Sequence, residues 1–367
     1  MEGQDRPAAV AAKRSRSPKY NECAKALRPA LVGSPLLLLS QEEGGCCLYK
    51  PDEDKFYETK SDFSGYRFLA SSGKWFLVVD SRSDLYIIDV FSDERIHLPP
   101  LESINGGLYL VERVGSNEFK VTLIRGIFND DKNGDYVVVW QFEQGQFLGF
   151  CKKGDLRYRD IPIRVDVRRE FRGLKDVVLK GYSLYSLVTR SFIRHLDLSG
   201  QDGFKDVSVI PRFPMWKPDT PRADFGTEVK KVISFSNRIA VTTSGEVLLV
   251  FTKAYEPFCE RSRIFRVYKR DPKELDPNTY DTRLVEMESI GDEALFFDLG
   301  ITVPADLTLG IEPNSIYFTR NDRFGHKNIC IPCVIDICVY NIATRTVKRF
   351  PNLSNLNLTD AQWFLPS

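Results

Sequence analysis

Residues 85–101 read LYIIDVFSDERIHLPPL, and residues 337–353 read ICVYNIATRTVKRFPNL. The two stretches are one phrase written twice. Apolar positions coincide (Leu85 with Ile337, Ile87 with Val339, Val90 with Ile342, Leu98 with Phe350), and so do Asp89 with Asn341, Ser92 with Thr344, Pro99 with Pro351 and Leu101 with Leu353. Each copy reads as a β-branched strand, a polar turn, a short return strand and a terminating proline. A hairpin that recurs, each copy too small to bury both of its faces, points to a repeated β architecture.

Two weaker copies lie between. FIRHLDLSG (192–200) leads to VSVIP, ending at Pro211, and IFRVYKRD (264–271) leads through a proline-punctuated insertion to RLVEMESIG, ending at Gly291. The spacing drifts over roughly 40–80 residues, beside about 50 for kelch-like and 40–45 for WD40 propeller blades. The Trp-Asp dipeptide and Gly-His pair of WD40 repeats are absent.

The chain has 367 residues, 43% hydrophobic and 28% charged, with 25 Phe and 15 Tyr against 3 Met. That length exceeds the usual single-core limit of about 250–300 residues, which a propeller escapes because each blade adds its own slice of core. Aromatic and β-branched richness favours strands. A net charge of +1 argues against nucleic acid as an obligate partner, and no apolar run approaches the roughly 18 residues of a membrane span. Eight irregularly spaced cysteines suggest small apolar residues in a reducing compartment rather than a disulfide framework.

Residues 1–33 carry seven Lys or Arg, with alanine and proline and little apolar periodicity. They are expected to be a basic tail, with residues 34–367 forming a single β domain. Lys13-Arg14-Ser15-Arg16 fits a nuclear-import signal, so nucleus or cytoplasm is the expected location. A mitochondrial or chloroplast transit peptide is the alternative, against which Glu2, Asp5 and Glu22 count.

From Pro35 onward strands are expected at 36–40, 75–80, 85–90, 118–127, 136–142, 146–151, 176–189, 238–243, 246–252, 264–270, 315–319 and 335–341, with tight turns at Asn133-Gly134 and Ser244-Gly245. No helix-period segment of ten residues stands out. The fold expected is an all-β propeller of six blades, seven being the alternative, at about 55 or 48 residues per blade. Because open sheet edges are a liability, its ring should close by pairing N- and C-terminal strands, with Val347–Phe350 against strands near 36–49.

The run from Gly73 to Leu101 resembles the plant KIB-type β-propeller domain, an F-box-associated family. So, in order, do DYVVVWQFEQGQFLGFCKKGDLRYRDIP (135–162), FRGLKDVVLKGYSLYSL (171–187), SGEVLLVFTKA (244–254), FRVYKRD (265–271), ESIGDEALFFD (288–298), NSIYFTRND (314–322) and DICVYNIATRTVKRFP (336–351). The resemblance covers residues 34–351. It implies a propeller that holds a protein substrate, which many relatives present to a ubiquitin ligase through an N-terminal F-box. The residues before the propeller are too few and too proline-broken to supply that three-helix module, so the chain looks like a propeller-only member, some of which are organelle-directed.

Other candidate chemistry is weak. Cys330-Ile331-Pro332-Cys333, with His326 and Cys338 nearby, has zinc-knuckle spacing but runs straight into a strand. Asn129, Asp131, Asn133 and Gly134 fit the start of a calcium loop whose twelfth position would be Trp140 instead of a bidentate Glu. The three histidines (His97, His195, His326) sit in unrelated segments, and no nucleophile elbow or phosphate loop appears. No cofactor, metal or catalytic residue is therefore expected. The segment Pro211–Pro221 alone looks made for contact: four prolines keep it extended while Phe213, Met215 and Trp216 offer large apolar groups. The function expected is non-enzymatic binding of a protein partner through rim loops, with ubiquitin-ligase substrate recognition as the alternative.

Overall fold

The computed structural model describes residues 33–41, 45–59, 63–82, 84–103, 119–126, 134–142, 147–162, 174–188, 192–201, 203–208, 232–255, 263–271, 284–319, 335–354 and 356–366. Strands dominate them. The first group is β1 (Leu36–Gln41), β2 (Cys46–Lys50) and β3 (Lys55–Glu58). The second is β4 (Arg67–Ser72), β5 (Trp75–Val79), β6 (Leu85–Asp89) and β7 (Arg95–His97). The third is β8 (Phe119–Gly126), β9 (Asp135–Phe142), β10 (Phe147–Lys152) and β11 (Arg159–Pro162). The fourth is β12 (Leu174–Lys180), β13 (Ser183–Val188), β14 (Phe192–Asp197) and β15 (Lys205–Asp206). The fifth is β16 (Val232–Val241), β17 (Val247–Tyr255), β18 (Arg263–Arg270) and β19 (Leu284–Met287). The sixth is β20 (Glu293–Phe296), β21 (Ile301–Pro304), β22 (Ser315–Phe318), β23 (Cys338–Asn341) and β24 (Thr346–Arg349). β25 (Leu358–Phe364) returns to pair with β1.

The first four groups are separate four-stranded sheets, β25 completing the first. The fifth and sixth form one nine-stranded sheet, joined by a parallel bridge between Val241 and Ile301. Within the sixth, β20 lies between β21 and β22 and runs parallel to β22.

The sheets are buried on both faces, which explains runs such as LLLL (36–39) and VVVW (137–140). Successive side chains point to opposite faces. Leu36 and Leu38 pack with Phe76 and Ile88 of the second group, whereas Leu37 and Leu39 pack with Phe296 and Val339 of the sixth. Val138 and Trp140 meet Leu77 and Ile87 of the second, while Val137 and Val139 meet Val177 and Leu196 of the fourth. Two further clusters join the fourth to the fifth (Tyr185 with Phe251) and the fifth to the sixth (Phe265 with Tyr340). Six cores in sequence thus lead from the first group back to itself. This circuit is the physical meaning of ring closure.

All four copies of the repeated phrase form the last two strands of their groups: β6–β7, β14–β15, β18–β19 and β23–β24. The two close copies share turn chemistry. Asp89 Oδ1 accepts from the Phe91 and Ser92 amides at 2.9 and 3.4 Å, and Asn341 Oδ1 from the Thr344 amide at 3.0 Å. Asp93 and Arg345, at matching positions, both take left-handed φ values of 66° and 57°. Both copies then end in a 3-10 turn, Leu101–Ser103 and Pro351–Leu353.

Two expectations need correction. The segment read as one strand over 176–189 is the β12–β13 hairpin, reversed at Gly181 with φ 59°. The closing strand is β25, whereas Thr346–Arg349 pairs with β23 inside the sixth group. Polar residues disguise β25 because it is the first sheet's inner edge: buried Gln362 donates through Nε2 to Ser71 Oγ of β4 at 2.7 Å.

Three groups converge at Gly300, just before β21. Its φ is 67°, and an added Cβ would run into Val178 Cγ2 of β12 and approach the Ile239 carbonyl of β16. Gly300→Ala is therefore expected to destabilise by about 1–3 kcal/mol through overpacking, with left-handed strain in addition. Urea unfolding of the variant checks this, with Gly245→Ala, where nothing lies within 4 Å, separating strain from clash.

Candidate functional site

Most of the residues singled out in the sequence fall outside the described part of the chain. Phe213, Met215 and Trp216 lie outside the described residues, as do Cys330, Cys333 and His326, and Asn129, Asp131 and Asn133. Gly134 precedes β9 with φ 53°. Cys338 is buried within β23, its thiol pushed up to about 12 by burial. That is the state of an inert core cysteine. His97 meets the Tyr86 ring edge-on at 4.4 Å, and His195 stacks on Tyr185 at 4.3 Å in another sheet. Among the described residues no group of three His, Cys, Asp or Glu is placed to hold a metal ion.

What the fold does build is a cleft of about 170 Å³ where the sixth group meets the first. Its floor is the closing seam: Trp363 of β25, Tyr317 of β22 and Phe350 after β24. Trp363 sets its ring edge-on to Tyr317 at 5.1 Å and donates from Nε1 to the Phe318 carbonyl at 3.2 Å. Pro35, Pro51 and Leu309 also line it.

At the mouth stands Leu307, 73% exposed on the loop from β21 to β22. It is held rigidly. Asp306 caps the 3-10 turn Leu307–Leu309 by accepting from the Thr308 amide at 2.9 Å, and Gly310 ends it in the left-handed region at φ 77°. The Asp306 and Ile311 backbones pair at 3.1 and 2.9 Å. Below, the Tyr317 hydroxyl donates to the Gly310 carbonyl and accepts from the Glu312 amide, each at 2.9 Å. Burial pushes that hydroxyl's pKa up to about 12, so it keeps its donor proton.

Tyr317→Phe keeps the ring stacked on Phe296 at 4.5 Å but releases the turn. The expected loss is about 0.5–1.5 kcal/mol of stability, with faster amide exchange confined to 306–312. Hydrogen-exchange mass spectrometry reads that localisation, and an unchanged loop would show that the hydroxyl does not hold it.

Two carboxylates and a lysine, Asp52, Glu312 and Lys348, are among the lining residues. Lys50 reaches Glu53 at 2.6 Å and Asp52 at 3.4 Å, and Lys348 reaches Glu312 at 2.6 Å. Hydrogen bonds from Lys50 first and Tyr57 next hold Glu53 at about 2, against an ordinary 4.5. The depressed value means its contribution to stability is present in full above pH 4.5 and is lost progressively as pH falls from there through about 2. Asp306 is likewise held below its usual range by its bonds to Thr308. Sequence reasoning missed this site because it joins residues from both ends of the chain. The available local signal was Asp306 and Gly310 bracketing Leu307 and Leu309 as a capped apolar turn.

Comparison with known proteins gives a consistent picture. Residues 48–341 match the family model described as the KIB1-4 beta-propeller. F-box protein At5g25290 of Arabidopsis thaliana is 43% identical, covering 95% of this chain and 89% of the relative. F-box protein KIB4 of the same plant is 33% identical, covering 82% and 74%. Among solved structures, the Cps50 (Swd1) beta-propeller domain of Myceliophteria thermophila is similar over 89% of this chain and 87% of that one, at 8% identity and a TM-score of 0.34. So distant a likeness has no bearing on function.

Proposed function

The chain belongs to the KIB1-4 β-propeller family, and we propose that it acts by binding, as a non-enzymatic propeller holding a segment of a protein partner at the seam where its ring closes. One observation carries this reading: Leu307 projects from a doubly anchored turn beside the seam cleft. A rigid apolar anchor binds with little ordering cost, which is what makes such residues effective contacts. The F-box names of the relatives favour a compatible second reading, in which the captured protein is passed to a ubiquitin ligase.

Proximity labelling in plant cells tests the proposal, comparing the intact chain with Leu307→Ser and with the Phe213/Met215/Trp216 triple alanine variant. Leu307 is exposed, so Leu307→Ser should shift stability by no more than about 0.5 kcal/mol. A shared set of partners missing from Leu307→Ser supports the seam as the contact. Partners lost only with the triple variant transfer the contact to that loop, and an identical set in all three removes both. Recovery of ubiquitin-ligase adaptor in the labelled set supports the second reading, and its absence under crosslinking counts against it.

A further inference from the structure

We propose that the junction between the fourth and fifth groups is a pH-sensitive joint, closed while the His195 imidazole is neutral and loosened when it takes a proton. This joint lies away from the seam and stands independently of the binding proposal. His195 on β14 is paired directly opposite Tyr185 of β13, and the two rings stack at 4.3 Å with 13° between their planes. Alternation puts both on the face that Ile193 and Leu187 turn toward Phe251 and Tyr268 of the fifth group. The imidazole Nε2 is buried there with no hydrogen-bond partner among the described residues. A neutral ring can leave that nitrogen as an unused acceptor. In a protonated ring both nitrogens are donors, so Nε2 would become a buried N–H without an acceptor on a charged group. Both changes are costly at an apolar interface.

The charges around the ring do not relieve that cost. Its own sheet contributes Asp197 and Asp206, which favour an imidazolium, and Arg194 and Lys205, which oppose it. Both carboxylates are already engaged, Asp197 by the Ser199 amide at 2.9 Å and Asp206 by Arg194 at 2.8 Å. Alternation along β17, β18 and β19 turns Lys253, Arg266, Tyr268, Arg270 and Glu286 of the fifth group toward the same junction. Three cations there stand against one carboxylate, and Glu286 is shared with Arg266 at 3.7 Å. Farther in, Asp176 of β12 accepts from the Ile239 amide at 2.9 Å and lies 3.9 Å from Arg238 of β16. Burial outweighs the two aspartates and holds the imidazole below its usual range. The two groups are tied at their inner edge, by that Asp176 bond and by Lys180 Nζ donating to the Thr243 carbonyl at 2.8 Å. His195 lies two strands farther out than Asp176. A proton on its ring would therefore open the outer half of the joint about this inner hinge.

Because the native ring resists protonation, the junction keeps its full stability above the ordinary histidine value of 6.5 and loses it as pH falls below that. Hydrogen-exchange mass spectrometry of the full-length chain between about pH 7.5 and about pH 5.5, corrected for the pH dependence of chemical exchange, reads the opening. Protection in β14 and β18 should fall by up to about tenfold per pH unit below about 6.5, while the second group, β4 to β7, stays unchanged. His195→Phe keeps a ring on Tyr185 without a titrating nitrogen and should abolish the loss. A second measurement needs no change at the site: an NMR titration of isotope-labelled histidine in the intact chain, with His97→Gln and His326→Gln assigning the other two signals. The His195 signal should titrate below about 6.5, over the same pH interval as the loss of protection. A midpoint at or above that value, a loss that His195→Phe retains, or one spread equally over all six groups overturns the proposal.

Discussion

Trp363→Ala is expected to lower folding stability by about 3–5 kcal/mol, a large share of the roughly 5–15 kcal/mol that holds a typical domain. The indole is fully buried, its ring set against Tyr317, Phe350 and Phe296 at centroid distances of 5.1, 6.0 and 6.5 Å. It sits on the strand that closes the ring, so the void would open between the sixth and first groups. Those groups can collapse onto it only by shifting the pairing of β25 with β1. Trp363→Phe retains most of the packing and loses the bond to the Phe318 carbonyl, for an expected loss of about 1–3 kcal/mol. Urea midpoints at equal m-value check both. A loss for alanine no greater than that for phenylalanine would mean that the seam does not limit stability.

The second large effect is expected at Asp336, which enters β23. Its Oδ2 accepts from Arg263 Nε at 2.9 Å and its Oδ1 from Arg349 Nε at 3.2 Å. The Arg263 side chain is only 6% exposed and lies over the Phe318 ring at 4.2 Å, so it has little access to water. Asp336→Ala would leave that guanidinium buried without a carboxylate, a change that typically removes about 3–5 kcal/mol. Thr252 Oγ1, an acceptor at 3.3 Å, gives only partial relief. The double variant Arg263→Met/Asp336→Leu should be far milder, because a buried ion pair offsets much of its own desolvation. A double-mutant cycle reads the coupling directly. Additive losses would show that the pair, though close, contributes nothing as a pair.

Much of the architecture was legible because the repeat is written in turn chemistry as well as in apolar spacing. Asp89 and Asn341 stand at the same position of two hairpins and both cap a turn amide. The inner strands were harder to see. β25 carries Thr359, Asp360 and Gln362 among its seven residues, and buried Gln362 meets polar Ser71 while its neighbours Trp363 and Phe364 enter the apolar cores. The β12–β13 reversal was hidden because Lys180-Gly181-Tyr182-Ser183 is a short break between two apolar-rich stretches, Val177–Leu179 and Leu184–Leu187. The candidate site was least legible of all. Pro35, Asp52, Leu307 and Trp363 share a cleft only because the ring closes, so their proximity is a property of topology that no local window contains.

The pairing of β25 with β1 also has a consequence for biosynthesis. β1 leaves the ribosome early, yet its mate is not complete until residue 364 has been translated. At roughly 5–20 residues per second that interval is on the order of tens of seconds. Throughout it the nascent polypeptide carries an unmated β1 edge, a ready template for wrong partners. Premature termination anywhere before β25 would make that hazard permanent, and such products should depend on chaperones or be degraded.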